Sequence, residues 1–449
     1  MKKISFCIII LLPIVINAQK NYTQLLDQYL QAQMKVNAFS GSVLVMKQNK
    51  VLLKKGYGYA DREWNIPNIP QAKFRIGSIT KQFTATCILQ LIEQGKLRFD
   101  DKLSKFYPDF PKGDSVTITM LLNHTSGIPI FTSLPDMGSY ERLSLSNDSM
   151  INYFKNSPYD FSPGTRFRYN NSGYLLLGCI LEKVTGQPIE KYLRKNILDK
   201  LGMVNTGNDQ IDSVLPLRVR GYHKDKNASF ISMEWPLGGG SMYSTVEDLY
   251  EWDRAMYTTA LISSASKQKM FTPGMGNYGY GLMIDSLFHF YRISHIGGIN
   301  GFSTNISRFP LQDVCIIVLC NNDNIGWNIA RGLEAITFNR DYELPLKHTA
   351  INIDSSLTEK FIGKYKLSDP VLFCKEVELT RKAERLFLHQ TDIDIADFPL
   401  KFEFKPASAH TFFNEDWLME LEFVIDKNGK INQAFLLDGG AKIVMEKIN

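Results

Sequence analysis

Phe74-Arg75-Ile76-Gly77-Ser78-Ile79-Thr80-Lys81-Gln82-Phe83 leads into a segment whose apolar residues, Ile79, Phe83, Cys87, Ile88, Leu91 and Ile92, recur at helical spacing. Glu93-Gln94-Gly95-Lys96 supplies a glycine stop, so the pattern predicts a helix that opens at Ser78. Lys81 then lies one turn on, on the same face, with its amine in reach of the Ser78 hydroxyl. A serine hydroxyl is a poor nucleophile until a neighbouring base takes its proton. A lysine desolvated beside it loses the stability of its charged form and can serve as that base. The helix start adds free N–H groups and a favourable dipole for the negative charge of acyl transfer, and Gly77 is read as leaving room for a substrate.

Spacing alone does not single out this pair, because Ser264 and Lys267, and Ser266 and Lys269, repeat it. Those two fall in a polar Ser/Lys stretch that reads as a solvated helix face. The surroundings of Ser78 are more telling. Upstream, β-rich runs at 41–46 and 51–55 flank Gln48-Asn49-Lys50 and predict a hairpin. Residues 100–270 mix short helical patterns with Gly, Pro and Asn turns. Runs at 287–295, 301–309 and 314–319 then predict three neighbouring antiparallel strands. The sheet thus starts before Ser78 and finishes after His295, with a helical region inserted.

Segment 342–356, rich in Pro, Lys, Asp and Ser without periodicity, is the candidate linker. Beyond it, short strand-like runs and the Lys427-Asn428-Gly429 turn predict a small all-β unit. The expected organisation is a leader at 1–18, a main domain at 19–341, the linker at 342–356 and a C-terminal β domain at 357–449.

Two further stretches carry candidate chemistry. Tyr169-Asn170-Asn171 follows a Pro-Gly turn and precedes an apolar run, which places it at a helix entrance. A tyrosine there can share a proton with a nearby lysine; equally, its ring can pack while Asn171 caps the next helix. His295-Ile296-Gly297-Gly298 ends a predicted strand, and glycines there allow a ligand close to the backbone. A strand histidine taken alone is more often structural.

The 449 residues are 44% hydrophobic and 22% charged, as in globular proteins rather than disordered ones. The formal charge of +5 has no basic run or Arg/aromatic stripe behind it, which excludes a nucleic-acid partner. Lys2-Lys3, the apolar stretch 4–16 interrupted by Pro13, and Asn17-Ala18 have the layout of a secretory signal peptide and are too short for a span. Export to the periplasm or medium is expected, with no membrane span after the leader. Five scattered cysteines then remain, among apolar neighbours, which reads as buried thiols rather than a disulfide framework. No cofactor is called for and no oligomeric state is set. A small-molecule or peptide substrate is the expected partner. Competing classes are a Ser-His-Asp hydrolase, without a G-x-S-x-G elbow here, a metal hydrolase, without a His-Glu-x-x-His helix, and a sensor or binding protein with an acylatable serine but no turnover.

Taken in order, Ser-x-x-Lys, Tyr-x-Asn and a Lys/His-x-Gly strand resemble the serine β-lactamase and penicillin-binding protein superfamily, in its class C-like branch of esterases and peptidases. Leu121-Leu122-Asn123-His124-Thr125-Ser126-Gly127, Leu201-Gly202-Met203, Gly238-Gly239-Gly240-Ser241 and Gly301-Phe302 are similar to the same branch. The resemblance spans about residues 25–335. It implies an α/β (α+β) β-lactamase/transpeptidase-like fold: an antiparallel sheet flanked by helices, a helical subdomain, and a cleft between them. A small C-terminal all-β, lipocalin-like domain is implied as well.

It further implies that Ser78 is acylated, that Lys81 and Tyr169 share acid and base work, and that Asn171 positions Lys81 or a substrate amide. His295 and Gly297 would lie on the substrate-binding strand. The oxyanion hole would be the N–H groups of Ser78 and Gly298. Many relatives place Lys at the position of His295, a hydroxyl residue next to it, and Ser or Thr at that of Gly298. With fewer donors for a substrate carboxylate, an ester or amide lacking that group is expected over a β-lactam or D-Ala-D-Ala peptide. D-alanyl-D-alanine carboxypeptidase and class C-like β-lactamase activities are the alternatives.

Overall fold

Val314–Cys320 is apolar at every position, and a strand tolerates this only when both faces are covered. In the computed structural model, which describes residues 21–210, 212–323, 325–371, 374–391 and 401–448, that is where it sits. The leader read at 1–18 lies outside the described residues. We label the principal elements α1 (Tyr22–Asn37), β1 (Gly41–Lys47), β2 (Lys50–Tyr57), α2 (Thr80–Glu93), α3 (Asn171–Thr185), α4 (Val246–Ala255), β3 (Met283–Leu287), β4 (Phe290–Ile299), β5 (Phe302–Phe309), β6 (Val314–Cys320) and α5 (Gly326–Thr337).

Strands β3-β4-β5-β6-β1-β2 form one six-stranded antiparallel sheet. Side chains on β6 alternate across it. Ile316 and Val318 join Leu26, Leu30 and Ile329 under α1 and α5, whereas Ile317 and Leu319 join Phe83, Leu249 and Trp252 under α2 and α4. Cys315 and Cys320 therefore fall in opposite layers, and all five described cysteines are buried free thiols. The β1–β2 turn follows from Gln48 and Asn49, both at positive φ.

Helix α2 is less amphipathic than its sequence pattern suggests. Every residue from Thr80 to Leu91 is buried, because the sheet, α3 and α4 surround it. Its polar residues are held by specific partners: Thr84 donates to Gly238 O at 2.7 Å, and Gln82 Oε1 accepts from Trp252 Nε1 at 3.0 Å. Between α2 and β3 lie the short helices of the inserted region, including Ile118–Leu122, Asn147–Phe154 and α3.

The C-terminal strands are β7 (Gly363–Val371), β8 (Cys374–Lys382), β9 (Arg385–Gln390), β10 (Lys401–Pro406), β11 (Thr411–Asn414), β12 (Met419–Ile425), β13 (Ile431–Asp438) and β14 (Ala441–Ile448). They close into an eight-stranded antiparallel barrel, with Lys364 of β7 opposite Ile448 of β14. Its interior is packed with Phe361, Tyr365, Phe402, Phe404, Phe412 and Phe423 among aliphatic residues. The segment 342–356 is tied to this barrel: Glu343 N–H donates to Gly440 O at 2.8 Å and Ile351 N–H to Pro406 O at 3.0 Å.

Candidate active site

The chain reaches Ser78 along a clamped path. Phe74–Arg75 pairs with Ser244 and Tyr243, Ile76 N–H donates to Met242 O at 2.9 Å, and Thr304 of β5 donates to Ile76 O at 2.9 Å. Gly77 then turns at a φ of 50°. A β-carbon at Gly77 would lie 2.8 Å from the Gly298 nitrogen, so this glycine makes room for the β4 backbone rather than for a substrate, as its sequence reading had it. Ser78 sits in a 3₁₀ turn, Gly77–Ile79, with the α-helix proper beginning at Thr80.

Lys81 is wholly buried. Its Nζ lies 3.0 Å from Ser78 Oγ, 2.9 Å from Asn171 Oδ1 and 2.9 Å from Gly239 O. The last two atoms only accept, so they take N–H groups of the lysine while the same nitrogen lies within hydrogen-bond reach of Ser78 Oγ. There a charged lysine donates to the hydroxyl and a neutral one accepts its proton. The Tyr169 ring centroid is 4.9 Å from the same nitrogen. Gly239 was missed at the sequence level as a lysine partner, since a carbonyl acceptor has no residue-type signature.

Of the two sequence readings of Asn171, as helix cap or as partner of Lys81, the structure has the second. Asn170, not Asn171, caps α3: its Oδ1 accepts from Gly173 N–H at 2.9 Å. Asn171 occupies the first helical position, which aims its amide at Lys81.

His295 is fully buried behind the cleft and does not reach its wall, unlike Ser78, Tyr169, Asn171, Gly297 and Gly298. Its Nδ1 lies 2.5 Å from Ile296 O, a pure acceptor, so Nδ1 carries the proton and Nε2 accepts from Tyr278 O–H at 2.9 Å. Burial, with the Lys81 charge second, pushes its pKa down to about 3, and the ring is neutral at ordinary pH. Tyr278 is itself buried, which raises its phenol well above the usual value and keeps it a donor.

A further histidine, His124, packs against Tyr169, Tyr278 and Tyr174 with ring centroids 4.4, 4.6 and 5.2 Å away. Burial and then Lys81 hold its pKa well below normal. Its Nδ1 accepts from Asn170 N–H at 3.1 Å, setting the backbone between Tyr169 and Asn171. Tyr278 and His124 belong to the site by packing, and the only sequence signals for them were the Asn123–Gly127 stretch and the Gly-rich aromatic run 276–281.

Gly297 cannot carry a side chain, since its β-carbon would fall 2.1 Å from Ile76 O, whereas one at Gly298 would meet nothing within 4 Å. A hydroxyl residue would therefore fit at Gly298, and its absence removes a donor without a steric reason. The Gly298 nitrogen borders Gly77 and hence Ser78, so both proposed oxyanion donors edge one cavity of about 630 Å³. Among the described residues on its wall, Glu141, His223 and Asp323 are the titratable acids and bases besides tyrosines, and none is Lys or Arg.

This sheet, with a Ser-x-x-Lys helix start buried under it and a Tyr-x-Asn loop facing both, defines a penicillin-binding-protein-like serine-hydrolase fold. The chain belongs to the Beta-lactamase family, whose profile matches residues 26–334. It is 28% identical over 432 residues to penicillin-binding protein 4* of Bacillus subtilis, covering 89% of this chain and 93% of that one. Among solved structures, the octameric penicillin-binding protein homologue from Pyrococcus abyssi is 25% identical, with a TM-score of 0.65 over 94% of this chain and 99% of that one. A D-stereospecific amidohydrolase from a Streptomyces species is 26% identical, with a TM-score of 0.58 over 68% of this chain and 95% of that one.

Proposed function

We propose that the protein is an exported serine hydrolase that takes an ester, amide or peptide through an acyl-enzyme on Ser78. The observation that carries this reading is the buried Lys81 nitrogen, held by Asn171 Oδ1 and Gly239 O and 3.0 Å from Ser78 Oγ. In the neutral form Lys81 takes the hydroxyl proton as Oγ attacks the carbonyl. The N–H groups of Ser78 and Gly298 then receive the oxyanion. Tyr169 passes its proton to the departing amine or alcohol and takes up the one held by Lys81, which returns to the neutral amine. Water attacks the acyl-enzyme, gives its proton back through Tyr169, and releases the acid with Ser78 restored. Export rests on Lys2-Lys3 and the apolar stretch that follows.

For the substrate, a neutral buried His295, Ile296 and Gly298 offer no charged partner to a carboxylate. A buried carboxylate without such partners is costly. An ester or amide lacking a carboxylate beside the scissile bond is therefore favoured, and the D-stereospecific amidohydrolase among the similar structures supports an amide. The penicillin-binding protein relatives support a second reading, D-alanyl-D-alanine carboxypeptidase or β-lactamase activity.

A fluorophosphonate label tests the nucleophile: the wild type labels, and Ser78→Ala loses both the label and turnover of p-nitrophenyl esters, by about 10⁶-fold in kcat. Labelling that persists in Ser78→Ala rules the serine out. Efficient turnover of nitrocefin alone, with esters and amides inert, overturns the substrate preference.

A further inference from the structure

The C-terminal barrel contributes Trp417 to the lining of the Ser78 cavity. Trp417, on the turn between β11 and β12, lines the cavity together with Trp327 of α5 and Phe302 of β5. Neither tryptophan is fully buried. The two indole rings lie 5.2 Å apart, tilted by 47°, and the edge of Phe402 supports Trp417 from inside the barrel at 5.7 Å.

The placement of both rings is fixed by polar contacts. Ser303 pairs with Gly298 across β4 and β5, and its Oγ accepts from Gly326 N–H at 2.9 Å, so α5 starts beside the oxyanion edge and presents Trp327 as its second residue. On the barrel side, Asn414 Oδ1 accepts from Asp416 N–H at 3.1 Å and Trp417 N–H at 2.8 Å, while its amide donates to Glu403 O at 2.8 Å. Leu418, at a φ of 45°, completes this tight turn.

The barrel as a whole is pinned to the main domain by buried groups. Arg331 pairs with Asp438 at 3.2 Å and donates to Pro370 O at 2.9 Å, and Asn328 donates to Asp438 at 2.5 Å. Tyr29 donates to Gly439 O at 2.7 Å. Separating such partners leaves buried charges uncompensated, so the turn bearing Trp417 holds its position over the cleft. A tryptophan serving only as interface filler would be sealed; these two keep apolar surface turned to the cavity that contains Ser78.

We propose that the barrel completes the substrate site, with Trp417 and Trp327 forming an apolar subsite, so that the preferred substrate is an ester or amide bearing an aromatic group remote from the scissile carbonyl. This rests on the serine-hydrolase reading above. Aromatic faces suit such a group by area and by offset or edge-on ring packing.

The test compares rates of Ser78 phosphonylation by two fluorophosphonates, one with a methyl group and one with a phenylbutyl group on phosphorus. Trp417→Ala lowers the phenylbutyl-to-methyl rate ratio by roughly tenfold, the scale of a lost apolar pocket contact. Trp417→Leu, which keeps apolar bulk at the barrel junction, lowers it in the same direction, and Trp417→Phe keeps most of it. Trp64→Ala, at an exposed tryptophan away from the cavity, leaves it unchanged. A fall of both rates in step in the Trp417 variants, or an unaltered ratio, overturns the subsite. Failure of both probes to label wild-type Ser78 breaks the serine reading and the subsite with it.

Discussion

Two Ser-x-x-Lys pairs in this chain share a spacing and a helical setting and differ in everything else. Ser264 and Lys267 lie on the helix Ser264–Met270, with Ser264 exposed and Lys267 donating to Thr258 O at 2.6 Å on the surface. That helix is capped by Ser263, whose Oγ accepts from Ser266 N–H at 3.2 Å. Ser78 and Lys81 lie where a 3₁₀ turn enters a helix buried on nearly all sides, and Asn171 and Gly239 hold the lysine. Spacing brings two groups together; fixed acceptors and exclusion of water make proton exchange between them useful. Lys267 is half-buried and gives its amine to a backbone carbonyl near the surface.

The contrast is broken most directly at the lysines. Lys81→Ala removes the proposed base and takes a donor away from Asn171 Oδ1 and Gly239 O, and turnover of a p-nitrophenyl ester falls by about 10³- to 10⁴-fold. Lys267→Ala, losing one exposed hydrogen bond, stays within about 0.5 kcal/mol of wild-type stability in denaturant unfolding. Comparable losses of turnover in the two variants would show that burial does not set the first pair apart. A smaller effect separates the adjacent asparagines. Asn171→Ala frees one N–H of Lys81 and lowers kcat by about 10- to 100-fold. Asn170→Ala removes the α3 cap and lowers stability by about 1 kcal/mol. Exchange of these two signatures between the positions would overturn the assignment of cap and lysine partner.

Much of the fold was legible because it is written in local periodicity. The β1–β2 hairpin, the strands around Phe302–Phe309 and Val314–Cys320, and the glycine stop after α2 each follow from residues within a few positions of one another. The all-β C-terminal unit followed in the same way, whereas the Beta-lactamase family followed from the resemblance of the Ser-x-x-Lys, Tyr-x-Asn and His-x-Gly stretches taken in order. Contacts between distant segments were not legible. Asn171 was open to reading as a cap because both asparagines suit one, and only the approach of Lys81 distinguishes them. Gly77 was read for the substrate because nothing local shows the Gly298 backbone beside it. Trp417 was not singled out at all, since it lies more than 300 positions from Ser78 and reaches the cavity only once the barrel has closed and docked.

A pH-dependent effect concerns the packing around Lys81, which the surface pair lacks. His295 is neutral in the folded protein, with a pKa of about 3 against an ordinary value of 6.5. Between those values the unfolded chain binds a proton that the folded one does not, so stability is full above pH 6.5 and is lost as pH falls toward 3. The loss approaches 1.4 kcal/mol per pH unit from this residue. His124, also held well below its ordinary value, adds to it in the same direction. His295→Gln has no titrating ring and can still hydrogen-bond Tyr278. In denaturant melts from pH 7 to 4, its stability therefore falls less steeply than that of the wild type, with the His124 contribution remaining. Equal slopes in the two proteins would mean that His295 carries a proton in the folded state. A cation would then lie behind the cleft below about pH 6.5, and the preference for substrates without a carboxylate would lose part of its electrostatic basis there.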